Sequence, residues 1–199
     1  MNLIRIIIIV VFGTTSVCEA PAQSTFRFQN YVPGGVGIDA PVFDADGNRL
    51  AGSGYAVELW GGALPDPLAP TTSFFSGQRV ILPFLTGIGA GYFSSNEGMT
   101  VWTVPPGVLA WVQVRAWDMR LGPTYEDVAA LGLGGYGESL PLHIPGGNPI
   151  GIPPTDPNPL YGLQSFSLRP VVPEPCTSSL LLVGGLALWC VVRRPSQHT

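Results

Sequence analysis

Apolar and polar positions alternate with period two through most of the middle of the chain, the signature of half-buried β-strands. Thr25-Phe26-Arg27-Phe28-Gln29-Asn30-Tyr31-Val32 alternates until Pro33-Gly34-Gly35 ends it. Pro41-Val42-Phe43 runs into a turn over Asp44-Ala45-Asp46-Gly47-Asn48, and Tyr55-Ala56-Val57-Glu58-Leu59-Trp60 stops at Gly61-Gly62. Further strands are predicted over 79–82, 92–94 and 99–104, and over 163–168 at the end of the patterned region. The strongest pattern is 109–118, which places Trp111, Gln113, Arg115 and Trp117 on one face and Val112, Val114 and Ala116 on the other. Either of those faces can be the buried one.

One short helix is expected. Thr124 is a capping residue, Glu126 and Asp127 lie in the first turn where acids favour the helix dipole, Val128 and Leu131 fall three apart, and Gly132 stops the run. From Pro141 to Pro159 the chain is rich in Pro, Gly and Asn and reads as a surface loop. About eight strands with turn signals roughly every ten residues predict an all-β domain, an antiparallel sandwich or a related β fold, carrying one short helix.

The two ends break the alternation. Met1–Arg5 is short and basic, Ile6–Phe12 is unbroken apolar, and Ala20-Pro21-Ala22 is a small-x-small cleavage site before Gln23. Residues 1–22 are therefore expected to be a signal peptide, read by the export machinery and cut by signal peptidase after Ala22. An uncleaved anchor and a lipoprotein at Cys18 are the alternatives, and Val17 is large for the second. At the other end Val172-Pro173-Glu174-Pro175 precedes an apolar run over 177–192, then Arg193-Arg194 and a polar stub to Thr199. No charge lies between Glu174 and Arg193, so a C-terminal transmembrane helix is expected, with the arginine pair held on the cytoplasmic side. At ~1.5 Å per residue the run spans only ~25 Å, short of a ~30 Å core, and Gly184-Gly185 weakens it further. A marginal anchor suits a tether meant to be cut. The two prolines hold 172–175 extended as a stem open to a protease.

The Pro173-Glu174-Pro175 stem, the apolar run and the Arg193-Arg194 stop together resemble the PEP-CTERM sorting signal of bacterial surface proteins, here spanning 171–199. A plain C-terminal anchor with an incidental Pro-Glu-Pro is the alternative. The body resembles other PEP-CTERM proteins of unknown role in Ala40-Pro41-Val42-Phe43-Asp44-x-x-Gly47, in Trp117 to Tyr125-Glu126-Asp127, and in Leu163-Gln164-Ser165-Phe166. The resemblance implies a surface or extracellular-matrix protein, anchored transiently in the inner membrane and processed by an exosortase, in a bacterium that makes exopolysaccharide. It implies no catalytic activity.

Composition narrows the chemistry of the body, residues 23–170. All three cysteines, Cys18, Cys176 and Cys190, lie outside it, so no disulfide can staple it. Six arginines face eleven acids, a net of −5 that repels phosphate polymers and argues against nucleic-acid binding. Lysine is absent from the whole chain, which removes Schiff-base chemistry. His143 is the only body histidine, and no Gly-x-Ser-x-Gly accompanies it. Glu126 and Asp127 point about 100° apart on a helix, so they read as helix-start residues and not as an acid/base pair. Gly132–Gly137 follows a helix and lacks a Lys-Ser/Thr, so it is no phosphate cradle. Asp44, Asp46 and Asn48 could offer oxygens to calcium, but the spacing departs from the EF-hand and a hairpin turn is the simpler reading. No catalytic residue, cofactor or metal site is implied. Trp60, Trp102, Trp111 and Trp117 are the candidate sugar-stacking residues of a second reading, a carbohydrate- or exopolysaccharide-binding module, set against ordinary packing.

Overall fold

The computed structural model of the protein describes residues 23–35 and 37–172; the leader 1–22, Pro173-Glu174-Pro175, the 177–192 run and Arg193-Arg194 lie outside the described residues. In chain order the elements are β1 (Ser24–Gln29), β2 (Tyr31–Val32), β3 (Ile38–Asp39), β4 (Val42–Phe43), β5 (Gly52–Gly62), β6 (Ala69–Pro70), β7 (Thr72–Ser73), β8 (Leu82–Phe84), β9 (Ser94–Val101), β10 (Leu109–Asp118), α1 (Tyr125–Leu131), β11 (Tyr136–Glu138), β12 (Leu142–Pro145), β13 (Asn158–Pro159) and β14 (Phe166–Ser167). The described chain is mostly β-strand in antiparallel sheets with this single α-helix. No helix among the described residues is long and apolar enough to cross a membrane.

Two sheets carry the domain. The first has the order β13-β1-β9-β7, antiparallel except for the parallel β1–β13 edge. The second is built on the long antiparallel pair β5–β10, which runs in register from Tyr55↔Asp118 to Gly62↔Trp111. β12 and β11 pair with the two halves of β10, and β6 and β8 with the two halves of β5. Phe26, Phe28, Met99 and Val101 from the first sheet share one buried cluster with Val57, Leu59, Val112 and Val114 from the second. The sheets approach closely at Gly61, where an added Cβ would stand 2.5 Å from Val101 Cγ2. A side chain at that point would wedge the layers apart.

The alternation in β10 resolves as two buried faces. Ala110, Val112, Val114 and Ala116 enter the main core, while Trp117 and Trp111 join a second cluster with Ala56, Trp60, Leu68, Tyr125 and Val128. Helix α1 roofs this second cluster. Its cap is as the sequence predicts: Thr124 Oγ1 accepts from Asp127 N at 3.2 Å, and Gly132 ends the helix at φ +69°. Seven residues cannot hold a helix in water, and Tyr125 and Val128 anchor it by burial.

Several boundaries differ from the sequence expectation, each for a tertiary reason. The strand expected over 25–32 breaks at Asn30, whose wholly buried amide donates to Ala40 O at 2.7 Å and Gly91 O at 2.9 Å and accepts from Phe93 N at 2.8 Å. That cross-link replaces ladder pairing and takes Phe93 out of the strand expected over 92–94. The strand expected over 79–82 lies at 82–84, because Arg79 bridges Thr72 and sends its side chain to Glu58. The 99–104 strand ends at Val101, where Val104 N turns back to Val101 O. Of 163–168 only Phe166-Ser167 is strand, in parallel pairing with Val42-Phe43. The loop expected over 141–159 contains β12 and β13, recruited by open strand edges that ask for backbone groups and not for side-chain periodicity.

Candidate functional site

The chain leaves the described domain along a pinned path. Leu168 N donates to Phe43 O at 2.9 Å, Arg169 N to Tyr136 O at 2.9 Å, and Val172 N to Leu133 O at 2.7 Å. Gly135 N returns a bond to Arg169 O at 2.8 Å. These bonds run the closing segment along β4 and β11, and Gly137 leaves the room, since a Cβ there would meet Ser167 O at 2.6 Å. Leu163 and Leu168 are buried as apolar pegs, whereas Val171 and Val172 are exposed. Backbone anchoring therefore extends to the residue immediately before Pro173, on the surface. Of the stem Val172-Pro173-Glu174-Pro175, only Val172 lies among the described residues, as do none of Ala20, Ala22, Arg193 and Arg194.

The four tryptophans do not form one platform. Trp117 is wholly enclosed and Trp60 is 6 % exposed, so neither offers a ring face to solvent. Trp111 is half-buried, its ring stacked on His143 at 4.4 Å and 9°. Trp102 is 50 % exposed and donates from Nε1 to Thr72 Oγ1 at 2.5 Å, at the far end of β9. His143 is thus committed to an aromatic stack on a β12 position.

What the outer face of β5–β10 does hold is a buried charge network. Glu58 is wholly enclosed, stands opposite Arg115 in the ladder, and is bonded by the guanidinium of Arg79 and by Trp60 Nε1 at 2.9 Å. Arg79 also reaches Glu126 Oε2 on α1 at 2.8 Å, tying the helix to the sheet. Arg115 lies 3.9 Å from the Trp60 ring centre and 4.9 Å from that of Tyr125, a cation–π sandwich between strand and helix. Burial pushes the Glu58 carboxyl above its ordinary value, and the opposing bonds from Arg79 and Trp60 recover only part of the shift. Burial also pushes the Tyr125 phenol up, with Glu138, to which its hydroxyl donates at 3.1 Å, adding to the effect. At Asp118 burial works upward too, but the bonds from Arg120 outweigh it and the carboxyl titrates low. Every member of this network is paired within the protein, so its chemistry is that of a strut.

The acidic turn is a hairpin. Asp44 Oδ1 accepts from Asp46 N at 2.9 Å and Asn48 N at 2.8 Å, Oδ2 accepts from Asn48 Nδ2 at 3.1 Å, and Asp44 N donates to Asn48 O at 2.8 Å. The carboxylate is satisfied by its own loop. Among the described residues no group of three or more His, Cys, Asp or Glu side chains is placed to hold a metal ion. Glu126 turns to Arg79 while Asp127 meets Thr124 Oγ1, so the two adjacent acids point apart and serve the helix start.

Sequence reasoning missed Asn30, the Glu58–Arg79–Glu126 strut and the cluster around Tyr31 and Tyr92. Their members are linked over as many as 63 positions of the chain, and no local spacing encodes such links. Comparison of the chain with protein-family models, with curated proteins and with solved structures found no match.

Proposed function

We propose that this is an exported, non-catalytic surface or extracellular-matrix protein, tethered briefly through 177–192 and processed by an exosortase near Pro173-Glu174-Pro175. One observation supports it most: Val172 N is held by Leu133 O while the side chains of Val171 and Val172 are exposed, so the described domain delivers the chain to its surface immediately before Pro173. A protease requires an extended substrate free of the fold, and Pro173 and Pro175 favour an extended stem in the sequence that follows. The domain itself reads as an antiparallel β-sandwich, supported by the single core that both sheets share. A disulfide-free sandwich whose buried Glu58 is paired by Arg79 suits a surface module that needs no cofactor.

Ending the chain after Val172 and following it in cell fractions tests the reading. The full-length chain passes through a membrane-bound form before release, whereas the 1–172 chain shows no membrane-bound form. Identical membrane distributions for the two chains overturn the proposal.

A further inference from the structure

Beside the β2–β3 hairpin lies an open groove of about 620 Å³, lined by Tyr31, Asp39, Arg49, Leu85, Ile88 and Tyr92. Its size falls within the ~300–1,000 Å³ range of small-molecule sites. Tyr31 is 53 % exposed, and its ring stands 5.4 Å from that of Tyr92 at an interplanar angle of 60°, giving two non-parallel aromatic walls. Tyr92 donates its hydroxyl to Asp39 Oδ1 at 2.6 Å, which fixes the ring. The guanidinium of Arg49 lies 5.2 Å from the Tyr92 ring centre. Neither Asp39 nor Arg49 joins a salt bridge among the described residues. Leu85 is half exposed and Ile88 stands fully in solvent at the rim.

The support beneath the groove is stiff. Asn30 binds Ala40 O and Gly91 O and receives Phe93 N, so the residues flanking Tyr31, Asp39 and Tyr92 are locked to one another. The loop carrying Ile88 closes on the same point, with Leu85 N donating to Tyr92 O at 2.9 Å and Tyr92 N to Gly89 O at 3.0 Å. One exposed and one half-buried aromatic wall over a hydrogen-bonded floor are a binding geometry, because little ordering remains to be done when a ligand arrives.

We propose that this groove is a binding site for a neutral oligosaccharide. A pyranose presents an apolar C–H face, which packs on an aromatic ring, and a rim of vicinal hydroxyls, which both donate and accept. Tyr31 and Tyr92 supply the ring faces, Asp39 Oδ2 an acceptor, and Arg49 a planar donor that can bridge two hydroxyls. One carboxylate and one guanidinium balance the charge of the groove, while the body carries a net −5, so an acidic polymer gains nothing locally and is repelled at range. The site is independent of how the chain is exported, and it involves none of the four tryptophans.

Isothermal titration of the full-length protein in detergent with cellohexaose, mannohexaose, maltohexaose and laminarihexaose, with hexagalacturonate as the anionic counterpart, tests it. At least one neutral hexaose binds with a dissociation constant below about 1 mM. Tyr31→Ala weakens that binding by about ten-fold and Arg49→Gln by roughly five-fold. Trp102→Ala, which alters the competing exposed aromatic, changes it less than about two-fold. Circular dichroism melts confirm that the exposed Tyr31→Ala variant folds. Absence of binding by every neutral hexaose overturns the proposal, as does tighter binding of hexagalacturonate, full binding by Tyr31→Ala, or loss of binding in Trp102→Ala.

Discussion

Removing Arg79 leaves the enclosed carboxylate of Glu58 without its ion-pair partner, and the structure sets the size of the effect. Truncating one member of a buried pair costs about 3–5 kcal/mol, because the remaining charge stays desolvated. Here the Trp60 Nε1 bond to Glu58 Oε2 survives, and Arg79 is itself partly exposed, so Arg79→Gln should fall at the low end, about 3 kcal/mol at pH 7. For a domain of this size that corresponds to a melting temperature lower by roughly 6–12 °C. The penalty depends on pH with a definite sign. Glu58 titrates above its ordinary value in the folded protein, so the folded state holds the proton more tightly than the unfolded one. Its contribution is fully present below the unfolded value and is lost as pH rises through the folded one. Taking away Arg79 removes two of the influences that lower this pKa, which raises it further and extends the loss to higher pH. Melts followed by circular dichroism at pH 7 and near pH 4.5 should therefore show the Arg79→Gln deficit shrinking in acid. The double variant Glu58→Gln with Arg79→Gln should regain most of the deficit at pH 7. A single variant within about 1 kcal/mol of the parent at neutral pH, or a double variant no better than the single, would refute the view that Glu58 is a buried charge.

Two other substitutions probe the architecture. Asn30→Ala strands two carbonyls and one N–H in the interior and should cost at least about 3 kcal/mol in a urea titration, whereas a loss below about 1 kcal/mol would mean that water replaces the amide. Gly61→Ala drives a methyl into Val101 and should cost about 1–3 kcal/mol, most of it restored when Val101→Ala is added; absence of that rescue would contradict the close approach of the two sheets.

What the sequence made legible follows from how local each feature is. The 109–118 strand and the Thr124-to-Gly132 helix were readable to the residue, since alternation, a cap and a stop glycine are all encoded by neighbours. The Asp44–Asn48 hairpin was readable for the same reason, its carboxylate closing on amides two and four positions on. Pattern alone left open which β10 face is buried, and the answer is both, because α1 and Trp60 cover the tryptophan side. Edge strands β11, β12 and β13 escaped notice because Gly- and Pro-rich segments can pair through backbone alone. The tryptophans misdirected attention for a physical reason: a large amphipathic ring serves a core as readily as a surface, and burial of Trp60 and Trp117 depends on a helix arriving from elsewhere in the chain. The Tyr31–Tyr92 groove draws on three separate segments and had no local signal at all.

Intact mass of the protein recovered outside the cell tests the central claim most directly. The account predicts a species that begins at Gln23 and ends within or next to Pro173-Glu174-Pro175, free of Arg193-Arg194. Extracellular protein that still carries its C-terminus through Thr199 would contradict it.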